Sequence, residues 1–273
     1  MSEKPTLIVS GNCQARFLAN VLTANPEVQD RYRVVYFRAF RKGDTDTIAR
    51  EHLESCAVLF EQIAHQAPEL PDKDQLPADC QVFRFPILWL NSLWPQSIDD
   101  PRNDTTKTNA TAAGRWPYGD RFVLKLLDQG LSPEDLVEPY MQWNLAEKMD
   151  LERFHHINWA KAKELDRRAE IRLGRYVNEN FRKQRLFVTR NHPSLEMLAV
   201  MRTKAYEAMG LTPAANDDDI LPASGGIYNS FVPVHPSVAK YFELEGWSPD
   251  ALYRTHAGEL PIREYIRRYA AFE

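Results

Sequence analysis

Cysteine is scarce in this chain. Cys13, Cys56 and Cys80 are its only three in 273 residues, too few and too scattered for a disulfide framework, which favours a reducing, cytoplasmic setting. Long apolar runs are missing too: none approaches the ~20 residues that cross a bilayer, so no membrane span is expected. The opening MSEKPTLIVSGN has no extended apolar stretch before a small-residue cleavage site, so no signal peptide is read. Charge of one sign is absent as a global feature. The net charge of −4 on a chain that is 26% charged gives no reason to expect nucleic acid as a partner. The spacings Cys-x-x-Cys and His-Glu-x-x-His do not occur, and His155 and His156 lack a partner four residues on, so no metal site is predicted. A Walker loop and a G-x-G-x-x-G after a strand are likewise absent.

What is present is an alternation of strand and helix. Hydrophobic residues, at 44%, support a substantial core. Strands are predicted at Leu7–Ser10, Tyr32–Phe37, Cys56–Phe60 and Gln81–Phe85, with helices over Ala15–Thr23 and Asp44–Leu53 between them. Such spacing implies right-handed crossovers and a mostly parallel sheet, an α/β class built from βαβ units. Beyond Phe85 the character changes. Residues 95–115 are polar and aperiodic and read as a surface loop or lid. Helices are then expected over Arg121–Gln129, from Leu145 to about Arg168, and onward to Phe181, followed by a short strand Leu186–Thr189 and a final helix Ile262–Phe272. The whole, residues 1–273, is read as one α/β domain with large helical additions in its second half.

The residues with chemistry sit at junctions. Ser10, Gly11 and Asn12 break the first strand, and Cys13 follows at the start of a helix. Unpaired N–H groups and the helix dipole there favour negative charge, so the thiol is expected to ionise more easily than a free one. The amides of Gln14 and Ala15, with the side chains of Asn12 and Gln14, are candidate donors to an oxyanion. Asn191-His192-Pro193-Ser194 forms a second strand-to-helix junction, where His192 is a candidate proton acceptor and Asn191 a turn residue. If both junctions lie at the carboxyl edge of one sheet, Cys13 and His192 could meet there. His-Pro-Ser recurs at His235-Pro236-Ser237, so His235 ranks second, while the same tripeptide also makes a good helix start. Ser224-Gly225-Gly226 reads as a turn or a close ligand approach. Residues 161–185, within a helical basic segment around 145–185, carry nine Lys/Arg against four acidic groups, a net +5. Arg182, Lys183, Arg185 and Arg190 are taken as candidate phosphate contacts.

Gly11-Asn12-Cys13-Gln14-Ala15 after the first strand, then Phe85-Pro86, Tyr118-Gly119-Asp120 and Asn191-His192-Pro193-Ser194 in that order, resembles the WcbI-type polysaccharide biosynthesis proteins. The resemblance runs from residue 7 to about residue 200, and more loosely to Val234-His235-Pro236-Ser237. It implies coenzyme A or acetyl-CoA as cofactor, acetyl transfer as reaction and a saccharide hydroxyl as acceptor, in capsule assembly. The α/β layout is also similar to that of SGNH and flavodoxin-like cores. In an SGNH esterase Gly11-Asn12-Cys13 would replace Gly-Asp-Ser, although no late Asp-x-x-His is present. A hydrolase using Cys13 and a non-catalytic coenzyme A or nucleotide binder are the alternatives.

Overall fold

The computed structural model describes residues 4–41, 44–45, 47–65, 70–103, 116, 118–213 and 230–273. The chain divides into two compact units. One comprises Met1–Leu88, Trp159–Glu179 and Pro193–Ser224; the other comprises Trp89–Asn158, Asn180–His192 and Gly225–Glu273.

The first unit is built on a five-stranded sheet of order β3-β2-β1-β4-β5. Its strands are β1 (Thr6–Gly11), β2 (Arg33–Arg41), β3 (Asp44–Thr45), β4 (Cys56–Ile63) and β5 (Gln81–Pro86). All pair in parallel except the edge strand β3, which returns antiparallel along β2. Every residue of the central β1 is buried, as a strand covered on both faces requires. Ile8, Phe37, Leu53, Cys56, Leu59 and Leu70 form a core on one side. Helix α1 (Cys13–Ala24) buries Ala15, Phe17, Leu18, Val21 and Leu22. Asn25 ends α1 and caps the next helix, Pro26–Arg31, through the N–H groups of Glu27 and Val28. The expected parallel sheet is therefore present, with one correction. Asp44–Leu53 is not a single helix: Asp44 and Thr45 find backbone partners in the long β2, and only Arg50–Glu54 is helical.

The second unit is mainly helical. Its core gathers Trp116, Val123, Tyr140, Tyr265, Ile266 and Tyr269, with Trp116 meeting Tyr265 and Tyr269 edge-on. The C-terminal helix Ile262–Ala271 seals this core with Ile262, Tyr265, Ile266 and Tyr269. A hairpin, Leu252–Thr255 with Gly258–Pro261, adds Tyr253 and Leu260. Asp120 caps the helix Arg121–Asp128 through the N–H groups of Phe122 and Val123. The helix expected from Leu145 to Arg168 is interrupted: Met149 is extended, Asp150 accepts from the Arg153 N–H, and a new helix runs Leu151–Arg167. The expected loop over 95–115 begins with order. Ser97–Ile98 pairs with Gly119–Asp120, and Asp100 holds Arg102 in a two-pronged ion pair. Residues 104–115 and Ser224-Gly225-Gly226 lie outside the described residues.

Candidate functional site

In the first unit the chain turns sharply from β1 into α1 at Gly11. This glycine has φ +151°, and a Cβ there would lie 2.5 Å from Cβ of Gln62 and 2.7 Å from Cβ of Ala15. Only glycine lets the end of β1 pass so close to β4 and the helix. The Asn12 side-chain oxygen accepts from the Gln14 N–H at 2.9 Å, and the Asn12 N–H donates to Gln62 Oε1 at 2.9 Å. The Tyr36 hydroxyl donates to the carbonyls of Gly11 and Asn12 at 3.0 and 3.1 Å. The turn is thus held from β2 and β4 on either side, which fixes where Cys13 sits.

Gln14 is fully committed to the scaffold. Its Nε2 donates to the Leu88 carbonyl at 2.8 Å, while its Oε1 accepts from the Leu88 N–H at 2.9 Å and from Gln62 at 3.0 Å. The Gln14 N–H is taken by Asn12. The expectation that Gln14 and the Asn12 side chain donate to an oxyanion is therefore corrected. They close the helix cap and tie α1 to the chain leaving β5. Gln62 and Tyr36 share this work. Gln62 lies within β4, and nothing local in the sequence marks it or Tyr36.

Cys13 is partly exposed at the first position of α1. Burial of its sulfur raises the thiol above its ordinary value, outweighing the lowering by the N–H groups of Gln14 and Cys13 itself. The expected easy ionisation is corrected accordingly: the N–H groups do point at the sulfur, but desolvation wins. Glu61, further along β4, is buried and neutralised by Lys73 at 2.5 Å.

His192 belongs to the second unit and is buried. It lies in a short two-stranded pairing of Phe187–Thr189 with His192–Pro193, not in the five-stranded sheet, so the premise of one shared sheet edge does not hold. Its Nδ1 is 2.8 Å from Thr189 Oγ1 and 3.1 Å from the Tyr118 hydroxyl, which also bonds Asn191. Burial, and secondarily the Arg190 charge, bring its pKa down to about 4, so the ring is neutral at physiological pH. Ser194, rather than Asn191 or His192, caps the following helix Leu195–Met209. Tyr118 and Asp120 line a recess with Trp94, Gln96, Tyr140 and Tyr265. Burial there raises Asp120 to about 6, although the Tyr140 hydroxyl donates to it at 2.6 Å.

The other candidates separate. His235 has no exposed surface. Its Nε2–H donates to the Tyr140 carbonyl at 3.0 Å and its Nδ1 accepts from the Ser237 N–H, capping the helix Pro236–Tyr241. Its role as proton acceptor is corrected to that of a helix cap. Arg190 is paired with Asp99 at 2.9 Å and lies over the Tyr118 ring. Arg182 stacks on Phe181, Arg185 packs over Phe231 and Tyr253, and both are exposed, as is Lys183. Among the described residues no group of three or more His, Cys, Asp or Glu could hold a metal ion, and no helix is long and apolar enough to cross a membrane.

A family model described as polysaccharide biosynthesis enzyme WcbI matches residues 6–214. A solved structure shares the fold with a TM-score of 0.68 over 99% of this chain and 90% of the other, at 14% sequence identity. It is described as WcbI, a novel polysaccharide biosynthesis enzyme, in its native form without a disulfide bond between coenzyme A and one of its cysteines. No curated protein matches the chain.

Proposed function

This chain belongs to the WcbI family of polysaccharide biosynthesis enzymes, and from that membership we propose that it transfers an acyl group, acetyl in the first instance, from coenzyme A to a saccharide hydroxyl. The observation that carries the proposal is the setting of Cys13. A partly exposed thiol heads α1 at the end of the Gly11 turn, which Tyr36 and Gln62 hold in place. That thiol, beside a glycine turn where the chain passes close to β4, is the place proposed for the thiol end of coenzyme A.

When bound, acyl-coenzyme A supplies a carbonyl activated as a thioester. In the transfer the acceptor oxygen would form the ester bond as the thioester C–S bond breaks, coenzyme A would leave as its thiolate, and the hydroxyl proton would be taken up by a base and passed to that leaving sulfur. His192, neutral above about pH 4, is the proposed acceptor of that proton, with Thr189 and Tyr118 fixing its ring. A thiol held protonated is a poor nucleophile. Direct transfer to the acceptor, with Cys13 contacting the reacting group, is therefore preferred over an acyl-cysteine route. Arg182, Lys183 and Arg185 are the proposed phosphate contacts. Arg190 is spent on Asp99.

The test is calorimetric titration with coenzyme A beside 3′-dephospho-coenzyme A. Saturable binding that weakens without the 3′-phosphate supports a dedicated site and is expected. No binding of either compound overturns the transferase reading. Cleavage of simple acyl esters would then turn attention to the hydrolase.

A further inference from the structure

Cys56 and Cys80 are 24 residues apart in sequence, yet their sulfurs stand 3.6 Å from each other. Cys56 opens β4 and is buried; Cys80 immediately precedes β5 and is partly exposed. The parallel register begins with Val58 beside Gln81, so the start of β4 and the residue just before β5 lie side by side. Adjacent strands lie about 4.8 Å apart, inside the Cα range of about 4.4–6.8 Å that a disulfide spans. Contact at 3.6 Å is van der Waals distance for two thiols. Closing to a bond of about 2 Å asks for a small side-chain rotation, which the partly open position of Cys80 allows.

Cys13 cannot take part directly. Thr6 of β1 pairs with Cys56, whereas Cys13 lies beyond the far end of β1, roughly 20 Å away at the rise of a strand. The three cysteines therefore sort into a lone thiol at the carboxyl end of the sheet and a pair at its amino end.

We propose that Cys56 and Cys80 are a thiol pair that forms a reversible disulfide by exchange with a small-molecule disulfide such as glutathione disulfide. The exposed partner reacts first. Cys80, as thiolate, attacks one sulfur of the small disulfide, releasing one small thiol and leaving a mixed disulfide on Cys80. Cys56 gives its proton to solvent and attacks the Cys80 sulfur, releasing the second small thiol. Two protein thiols are oxidised and one small disulfide is reduced to two thiols. Because burial raises both thiols, with Cys56 pushed up to about 12, the exchange is slow near neutrality and quickens as pH rises. The bond fastens the entry of β4 to the entry of β5 and restricts the unfolded chain, so the oxidised protein resists unfolding better.

The experiment uses the full chain carrying Cys13→Ser, in which the pair are the only thiols. It is incubated with glutathione disulfide at mildly alkaline pH, quenched, and weighed by intact mass spectrometry under denaturing, non-reducing conditions. The expected product is lighter by two hydrogens, carries no adduct, yields a peptide cross-link between Cys56 and Cys80, and reverts with dithiothreitol. Its melting temperature exceeds that of the reduced form, and Cys80→Ser in the same background removes both the mass change and the rise. A product that stops at a glutathione adduct on Cys80, or one in which both thiols stay free, overturns the proposal.

Discussion

At the scale of single residues, Cys13 shows two forces in opposition. A helix N-terminus lowers a thiol pKa, and burial raises it. In this chain burial prevails over the helix N-terminus and leaves the thiol raised. Spacing alone reveals the first force and hides the second. Gly-Asn-Cys after an apolar run announces a helix start, but desolvation depends on how the rest of the fold covers the sulfur. Alkylation tests the balance. Iodoacetamide should modify Cys13 more slowly at neutral pH than it does a small free thiol, as followed by peptide mass spectrometry. Its rate should still be climbing with pH where that of the free thiol has levelled off. Fast modification at neutral pH would show that the N–H groups win after all and would restore the acyl-cysteine route.

At the scale of elements, the parallel strands could be read because each is a short, continuous apolar run, which is what a strand buried on both faces must be. The hairpin Leu252–Thr255 with Gly258–Pro261 could not. Its strands are four residues long and half exposed, so alternation hardly registers. The break at Asp150 went unread for a related reason: helical spacing continues across it, and only the cap to Arg153 decides that a new helix begins. The junction after β1 was recognisable through Gly11, Asn12 and Cys13, but the task of Gln14 was not, because its partner Leu88 is 74 residues away. This yields a way to tell scaffold from oxyanion donor. Gln14→Ala strands the Leu88 N–H and carbonyl and one amide of Gln62. Each buried group left unpaired costs about 1–3 kcal/mol, so the variant should lose on the order of 4 kcal/mol in urea denaturation. A variant that keeps its stability and loses only turnover would return Gln14 to the oxyanion role.

At the scale of the whole molecule, two buried groups bend the dependence of stability on pH in opposite directions. The pKa of His192 is depressed from 6.5 to about 4 in the native state. Between those values the unfolded chain binds more protons, so stability rises with pH and this contribution is complete above 6.5. The pKa of Asp120 is raised from 3.8 to about 6. The native state then binds more protons, and stability is lost as pH rises through that window. Each shift is worth on the order of 3 kcal/mol, so between pH 4 and 6 the two should largely cancel. Removing either exposes the other. Asp120→Asn can still cap its helix through the side-chain oxygen and does not titrate, so its stability relative to wild type should increase steadily from pH 4 to 6. His192→Gln should show the reverse, losing ground over the same range. Urea midpoints across that window, taken as differences from wild type, remove the groups common to all three proteins, including Glu264, whose Arg267 and Arg268 partners hold it at about 2. Difference curves that run flat for both variants would mean that neither group is shifted, and His192 would then titrate near its ordinary 6.5 and would not stay neutral down to about pH 4.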